Sequence, residues 1–261
     1  RTKPLSGYKV IELSTFVAAP SCGRLLRDWG ADVIKVESGK GDAWRYHGST
    51  HRVTSTEEEN PMFDLVNAGK KSVVVDLKSA EGKAVLAVQI IKELIREYDI
   101  VLEQFRPGVM KKLGLDYESL KERFPKLIYA SVTGFGEEGP ETDKPGFDLV
   151  AYWGNSGFLN DLSIDTGTSY PILAPTGIGD VTCGTALFGG ICAALLGRER
   201  TGRLCDDIPV RGSDLDHELH VPAGAAAIWG SVSEAPGGDA STHGAVPVQG
   251  RGVADAVDIG V

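Results

Sequence analysis

Metal-ligand and redox spacings are the first things this chain lacks. Its four cysteines, Cys22, Cys183, Cys192 and Cys205, make no C-x-x-C pair, so they read as buried free thiols in a reducing compartment. No metal site is expected. No G-x-G-x-x-G follows the first apolar segment, which argues against a nicotinamide dehydrogenase. P-loop and Ser-His-Asp arrangements are missing too. The longest run without a charged residue, Val181 to Gly197, is interrupted by glycines and falls short of a membrane span. Positive charge is in deficit, 27 Lys and Arg against 36 Asp and Glu, a net −9. Nucleic acid and anionic membranes are therefore not expected partners. No basic-plus-apolar leader opens the chain, which reads as cytoplasmic; it starts at Arg1 rather than Met and so reads as a fragment.

What is present is ordinary globular composition over 261 residues, 42% hydrophobic and 24% charged, enough for one large domain or two small ones. Tyr8 to Leu13 reads as a strand, Ser14 to Pro20 as a turn, and Ser21 to Trp29 as a helix with Cys22, Leu25, Leu26 and Trp29 on one face. Gly30 stops that helix, and Asp32 to Glu37 is a second strand, completing a βαβ unit whose crossover implies a parallel pair. Ser38 to Asn60 reads as a long surface loop. Within it His47 and His51 could share a metal only on a helix, which Gly48 weakens, so both read as solvent-exposed. Further strands are expected at Lys71–Leu77, Asp99–Glu103 and Leu127–Val132, with a long helix capped by Ser79 and two short helices between them. The pattern is α/β, an open parallel Rossmann-like sheet flanked by helices. Ligands of such sheets bind beyond the carboxyl ends of the strands. The turns at Thr15–Ala19, Gln104–Val109 and Thr133–Gly136 converge on that edge, and Lys78, Arg106 and Lys112 offer positive charge for a phosphorylated ligand.

The stretch from Ala174 to Gly184 carries one carboxylate, Asp180, where a Gly/Pro loop passes into a buried apolar helix reaching Leu196. At a helix N-terminus Asp180 would face free amides and the positive end of the dipole. It can serve there as an N-cap, or as an ionised nucleophile toward an acyl carbon. Gly179 and Gly184 leave room for a ligand or another backbone.

These residues together resemble the class III CoA-transferases of the CaiB/BaiF type over about residues 5–203. The motifs are Ala18-Ala19-Pro20, Gly30 through Glu37, Asn67 through Lys78, Gln104 through Gly108, Leu113 through Tyr117, Ala130 through Gly136, and Gly179-Asp180. The resemblance implies transfer of CoA from an acyl-CoA donor to a carboxylic acid, with no metal or organic cofactor. It makes Asp180 the catalytic nucleophile, passing through aspartyl anhydride and thioester intermediates. It assigns CoA contacts to Phe16, Val17 and Ala18, to Val75 and Lys78, to Gln104, Phe105, Arg106, Val109 and Lys112, and to Thr133. Ser38 stands where some members have an arginine for the CoA phosphates. An interlocked homodimer is implied. The pattern Lys144 through Asp148 is closest to transferases of 2-hydroxy or aryl-lactic acids. A related 2-methylacyl-CoA racemase needs a histidine near Phe147, and phenylalanine cannot move a proton.

Residues 204–261 depart from the pattern and hold no Lys, Phe, Tyr, Met or Asn. The expected organisation is residues 1–203 as the N-terminal portion of the large domain and 204–261 as a disordered, out-of-frame tail. Read one base later, the codons of Cys205 through Val210 permit Val-Thr-Ile-Ser-Leu, where the family has a V-T-V-S-L strand. On that account the chain is a truncated version of the fold, and an inactive remnant that at most binds CoA is the alternative.

Overall fold

The structure is a computed structural model and describes residues 2–56, 59–75, 81–162, 175–201 and 208–211. Six parallel strands form one sheet in the order β3-β2-β1-β4-β5-β6. They are β1 (Lys9–Leu13), β2 (Asp32–Glu37), β3 (Lys71–Val74), β4 (Ile100–Glu103), β5 (Ile128–Thr133) and β6 (Ile208–Arg211). The interior strands β4 and β5 are buried at every position, as a parallel sheet covered on both faces requires.

One face carries helices α1 (Ala18–Asp28) and α7 (Ile178–Thr201). Ala19, Cys22 and Leu26 of α1 and Leu187, Ile191 and Leu195 of α7 meet Val10, Val33, Ile100 and Ile128 of the strands. The opposite face carries α3 (Glu81–Ile95), α4 (Val109–Leu113) and α5 (Tyr117–Leu120), with Ile91, Met110 and Leu120 against Ile11, Leu13, Val101 and Tyr129. Two shorter helices, α2 (Pro61–Asn67) and α6 (Phe158–Asp161), lie in the connections. Helix α7 is long and apolar enough to cross a membrane by length and composition, and in the fold it is a core helix crossing α1. Gly184 permits that crossing: a Cβ there would run into Ser21 Oγ and the Ala18 carbonyl.

Several boundaries differ from the sequence pattern. Helix α1 begins at Ala18, not Ser21, because Pro20 occupies its first turn, where a missing N–H costs nothing. Trp29 follows the helix and is 49% exposed, off the buried face. The span Ser38–Asn60 is not merely surface: it holds two single-turn 3₁₀ helices, Ala43–Tyr46 and Gly48–His51, and the buried Trp44. Residues 208–211 are strand rather than disordered, pairing in parallel with β5. Leu77, Lys78, Ser79 and Cys205 lie outside the described residues. Of the other cysteines, Cys22 and Cys183 are buried free thiols and Cys192 is half-buried.

Between β1 and β4 the order of strands reverses, and the loops after them open a crevice. Its wall after β1 is held by buried charge. Lys35 Nζ reaches Glu12 Oε1 at 2.9 Å, Asp42 Oδ2 at 3.0 Å and the Ser14 carbonyl at 2.9 Å. Lys70 Nζ lies 2.7 Å from Glu12 Oε2 and donates to the Pro20 carbonyl. Burial opposes ionisation of Glu12, yet the two ammonium groups hold its carboxyl below the usual range. The network leaves Asp42 Oδ1 to accept the amides of Phe16 (3.1 Å) and Trp44 (2.9 Å). Phe16 is thereby held at φ 63°, in the left-handed region, with its ring over the crevice.

Candidate active site

Asp180 sits in the first turn of α7, three residues after Gly177, whose φ of 87° turns the chain into the helix. It does not cap that helix. The cap comes from another segment: Asp148 Oδ2 accepts the Gly177 amide at 3.0 Å, and its Oδ1 accepts the Asp180 amide at 2.9 Å. Asp148 is buried and begins a π-helical turn, Leu149–Gly154. Gly179 allows the approach, since a Cβ there would strike the Tyr152 side chain and come within 2.7 Å of Asp148 Oδ1. The segment bearing Asp148 is docked on the loop after β5 by two glycines back to back. A Cβ on Gly134 would overlap the Gly146 Cα, and a Cβ on Gly146 the Gly134 Cα.

With capping done by Asp148, the Asp180 carboxylate is left for chemistry. Burial, and secondly the Asp148 charge, push its carboxyl up to about 6. A carboxylate stabilised by the helix terminus would shift the other way, so Asp180 is a more basic carboxylate than its position in sequence implies. At neutral pH it remains largely ionised.

Two cavities meet at Asp180, and Gln104, Arg106, Gly146 and Asp148 border both. The narrow one, of about 100 Å³, runs past Ala18, Phe105, Thr133, Lys144 and Cys183. The wide one, of about 740 Å³, is walled by Phe16, Val17, Trp44, His47, His51, Met62 and Phe147. Phe16 meets Phe147 edge-on at 6.2 Å and Trp44 at 6.0 Å. The Gln104 side chain fixes the floor, its Oε1 accepting the Ala19 amide at 2.8 Å.

Of the residues expected at the site, Asp180, Phe16, Val17, Ala18, Gln104, Phe105, Arg106 and Thr133 are brought together here. Val75 packs instead in the core beneath β3, and Val109 and exposed Lys112 on α4 border neither cavity. His47 and His51 are not solvent-exposed: both are half-buried and line the wide cavity. Asp148 was within a quoted motif, but no spacing marks it as the partner of a helix 30 residues on. Among the described residues no group of three metal-ligating side chains occurs.

The sequence matches the family described as CoA-transferase family III over residues 5–245, which extends past Arg203. It is 44% identical over 202 residues to the cinnamoyl-CoA:phenyllactate CoA-transferase of Clostridium sporogenes, covering 77% of this chain and 47% of that protein. To the (R)-2-hydroxy-4-methylpentanoate CoA-transferase of Clostridioides difficile it is 42% identical over 199 residues, covering 76% and 48%. The crystal structure of a CAIB/BAIF family protein from Brucella suis superposes with a TM-score of 0.75 at 34% identity, covering 90% of this chain and 60% of that one. The chain thus spans about half the length of the curated relatives it matches.

Proposed function

The chain belongs to CoA-transferase family III, and from that premise we propose that it transfers CoA from an acyl-CoA donor to a carboxylic acid through covalent intermediates on Asp180. The observation that carries the reading is a half-buried carboxylate, relieved of capping by Asp148, at the junction of two cavities. Together the cavities offer room beside Asp180 for a thioester and for an acid.

The steps balance without a cofactor. An Asp180 oxygen attacks the thioester carbonyl, the C–S bond breaks, and an aspartyl–acyl anhydride forms with CoA thiolate. The thiolate attacks the aspartyl carbonyl and expels the donor acid, leaving aspartyl-CoA. The acceptor carboxylate attacks that thioester, forming a second anhydride and releasing the thiolate again. Attack on the acceptor's acyl carbon then yields the new acyl-CoA and restores the Asp180 carboxylate. Each exchange replaces one hard step with easier ones. The first-turn amides of Ile178 and Gly179 are those left to stabilise the oxyanions, since Asp148 occupies that of Asp180.

The acceptor we favour is a 2-hydroxy or aryl-lactic acid. The rings of Phe16, Trp44 and Phe147 suit an aromatic or branched side chain, and the two relatives above are named for acceptors of that kind. Phe16, Val17, Ala18, Gln104, Phe105, Arg106 and Thr133 would carry CoA; Lys78, Val109 and Lys112 join them on the family resemblance alone, and Val75, packed in the core, does not. A homodimer and a cytoplasmic location complete the proposal. The racemase alternative calls for a histidine at the position of Phe147, which lines the cavity and cannot move a proton. An inactive remnant is not favoured by a family match that runs through Asp180 to residue 245.

Purified chain mixed with labelled acyl-CoA and quenched with hydroxylamine tests the reading. Hydroxamate at Asp180 is expected. Its absence, beside a homologue that yields it under the same conditions, sinks the assignment.

A further inference from the structure

We infer that His47 selects acceptor acids bearing a hydroxyl next to the carboxyl group, through a hydrogen bond to its Nε2; this rests on the acid-acceptor reading above. His47 Nδ1 lies 3.1 Å from the Ala43 carbonyl oxygen. A carbonyl only accepts, so Nδ1 carries the proton, and in the neutral ring Nε2 holds a lone pair. Among the described residues nothing donates to it.

The ring plane is fixed from two sides. His47 stacks on Trp44 with centroids 5.4 Å apart at 27°, and Phe16 meets it edge-on at 5.2 Å and 74°. Trp44 is itself anchored by its indole N–H, which donates to the Met62 carbonyl at 2.8 Å. Phe16 is anchored by Asp42. The imidazole therefore presents a preset acceptor in the wall of the cavity that also holds Asp180.

A simple carboxylate consists of acceptors only and offers this lone pair nothing. A 2-hydroxy acid offers an O–H one carbon from its carboxylate. With that carboxylate at the aspartyl group, the hydroxyl donates to Nε2 while the side chain lies against Phe16, Trp44 and Phe147. An acid lacking the hydroxyl displaces water from Nε2 and leaves it unpaired in an aromatic wall, which discriminates by more than the lost bond alone.

The test is equilibrium binding of 3-phenyllactate and 3-phenylpropionate by calorimetry to the full chain carrying Asp180→Asn, whose neutral amide stands in for the aspartyl thioester, beside the hydroxylamine trap on the chain with Asp180 intact. Phenyllactate is expected to bind roughly tenfold tighter. His47→Phe keeps a ring for the Trp44 stack and removes the lone pair, so the gap should close by weakening phenyllactate alone. His47→Gln, whose amide oxygen also accepts, should keep part of the gap. Equal binding of both acids, saturable binding of neither, a gap that survives His47→Phe, or a gap abolished instead by His51→Phe each overturns the assignment. Hydroxamate without the gap sinks the role of His47 and leaves CoA transfer standing. The gap without hydroxamate does the reverse.

Discussion

A carboxyl group whose burial lifts it to about 6 is a cost to the fold whenever it is ionised, and Asp180 is such a group. Its folded value lies above the unfolded 3.8, so the penalty is fully present above pH 6 and vanishes as the pH falls below about 4. Asp180→Asn should therefore abolish hydroxamate formation while raising stability at pH 8 by on the order of 1–3 kcal/mol. Urea unfolding at pH 8 and pH 4 checks this: the gain belongs to the higher pH, and equal stability there would refute it. Asp148 is the second residue of consequence. Asp148→Asn leaves one carbonyl oxygen for two amides and removes the charge facing Asp180. The other groups around Asp180 are Arg106, Lys144 and Cys183 in the narrow cavity and His47 and His51 in the wide one. Loss of the Asp148 charge should move the acid inflection of aspartyl formation below pH 6, with the rate falling about tenfold for one charge-assisted hydrogen bond. A role confined to folding would lower the yield of native protein and leave the inflection in place.

Among elements, the contact between the loop after β5 and the segment before the π-helical turn is the most exacting. Gly146→Ala would place a methyl inside the Gly134 backbone, with no flexible side chain to give way. About 1–3 kcal/mol of destabilisation is expected by denaturant titration, with hydroxamate yield falling further than stability because Asp148 moves. The end of β2 offers a pH test. Burial opposes ionisation of Glu37, but Arg45, Ser72 and the Asp42 amide donate to it and pull its carboxyl down to about 2. Its contribution is fully present above the unfolded 4.5 and is lost as the pH falls toward 2. Glu37→Gln should flatten that part of the acid unfolding curve. Strands β1, β2, β4 and β5 were legible in the sequence because short apolar runs end in turn residues at βαβ spacing. Asp180 was legible as the carboxylate where a Gly/Pro loop meets an apolar helix. The start of α1 was obscured by Pro20, which breaks helices everywhere except the first turn. Trp44, His47 and His51 were obscured because single 3₁₀ turns carry no periodicity, and Asp148 because a cap supplied across 32 residues leaves no local trace.

For the whole molecule, the sheet keeps the strand order of a dinucleotide-binding fold without its glycine fingerprint. The reason lies in the turn after β1, where Phe16 rather than glycine takes the left-handed backbone conformation and fills the crevice with a ring. Strand β6 extends the sheet beyond β5 and includes Pro209, which donates no ladder hydrogen bond. Against the proposal that residues 204–261 are translated out of frame stand the family match to residue 245 and the pairing of β6 with β5. On that proposal, sequencing the coding DNA from Gly197 onward should show a base gained or lost near Arg203, and an uninterrupted frame overturns it. The tertiary cap on α7 has a last consequence, for the chain as it is made. Asp148 leaves the ribosome before Asp180, so a nascent chain holds the cap with no helix start to seat. Once α7 emerges, the Asp180 carboxylate gains its setting only by docking on a segment already synthesised. Under the proposed function, immature chains would carry no organised acyl acceptor, and the cell's thioesters would meet this aspartate only in a finished fold.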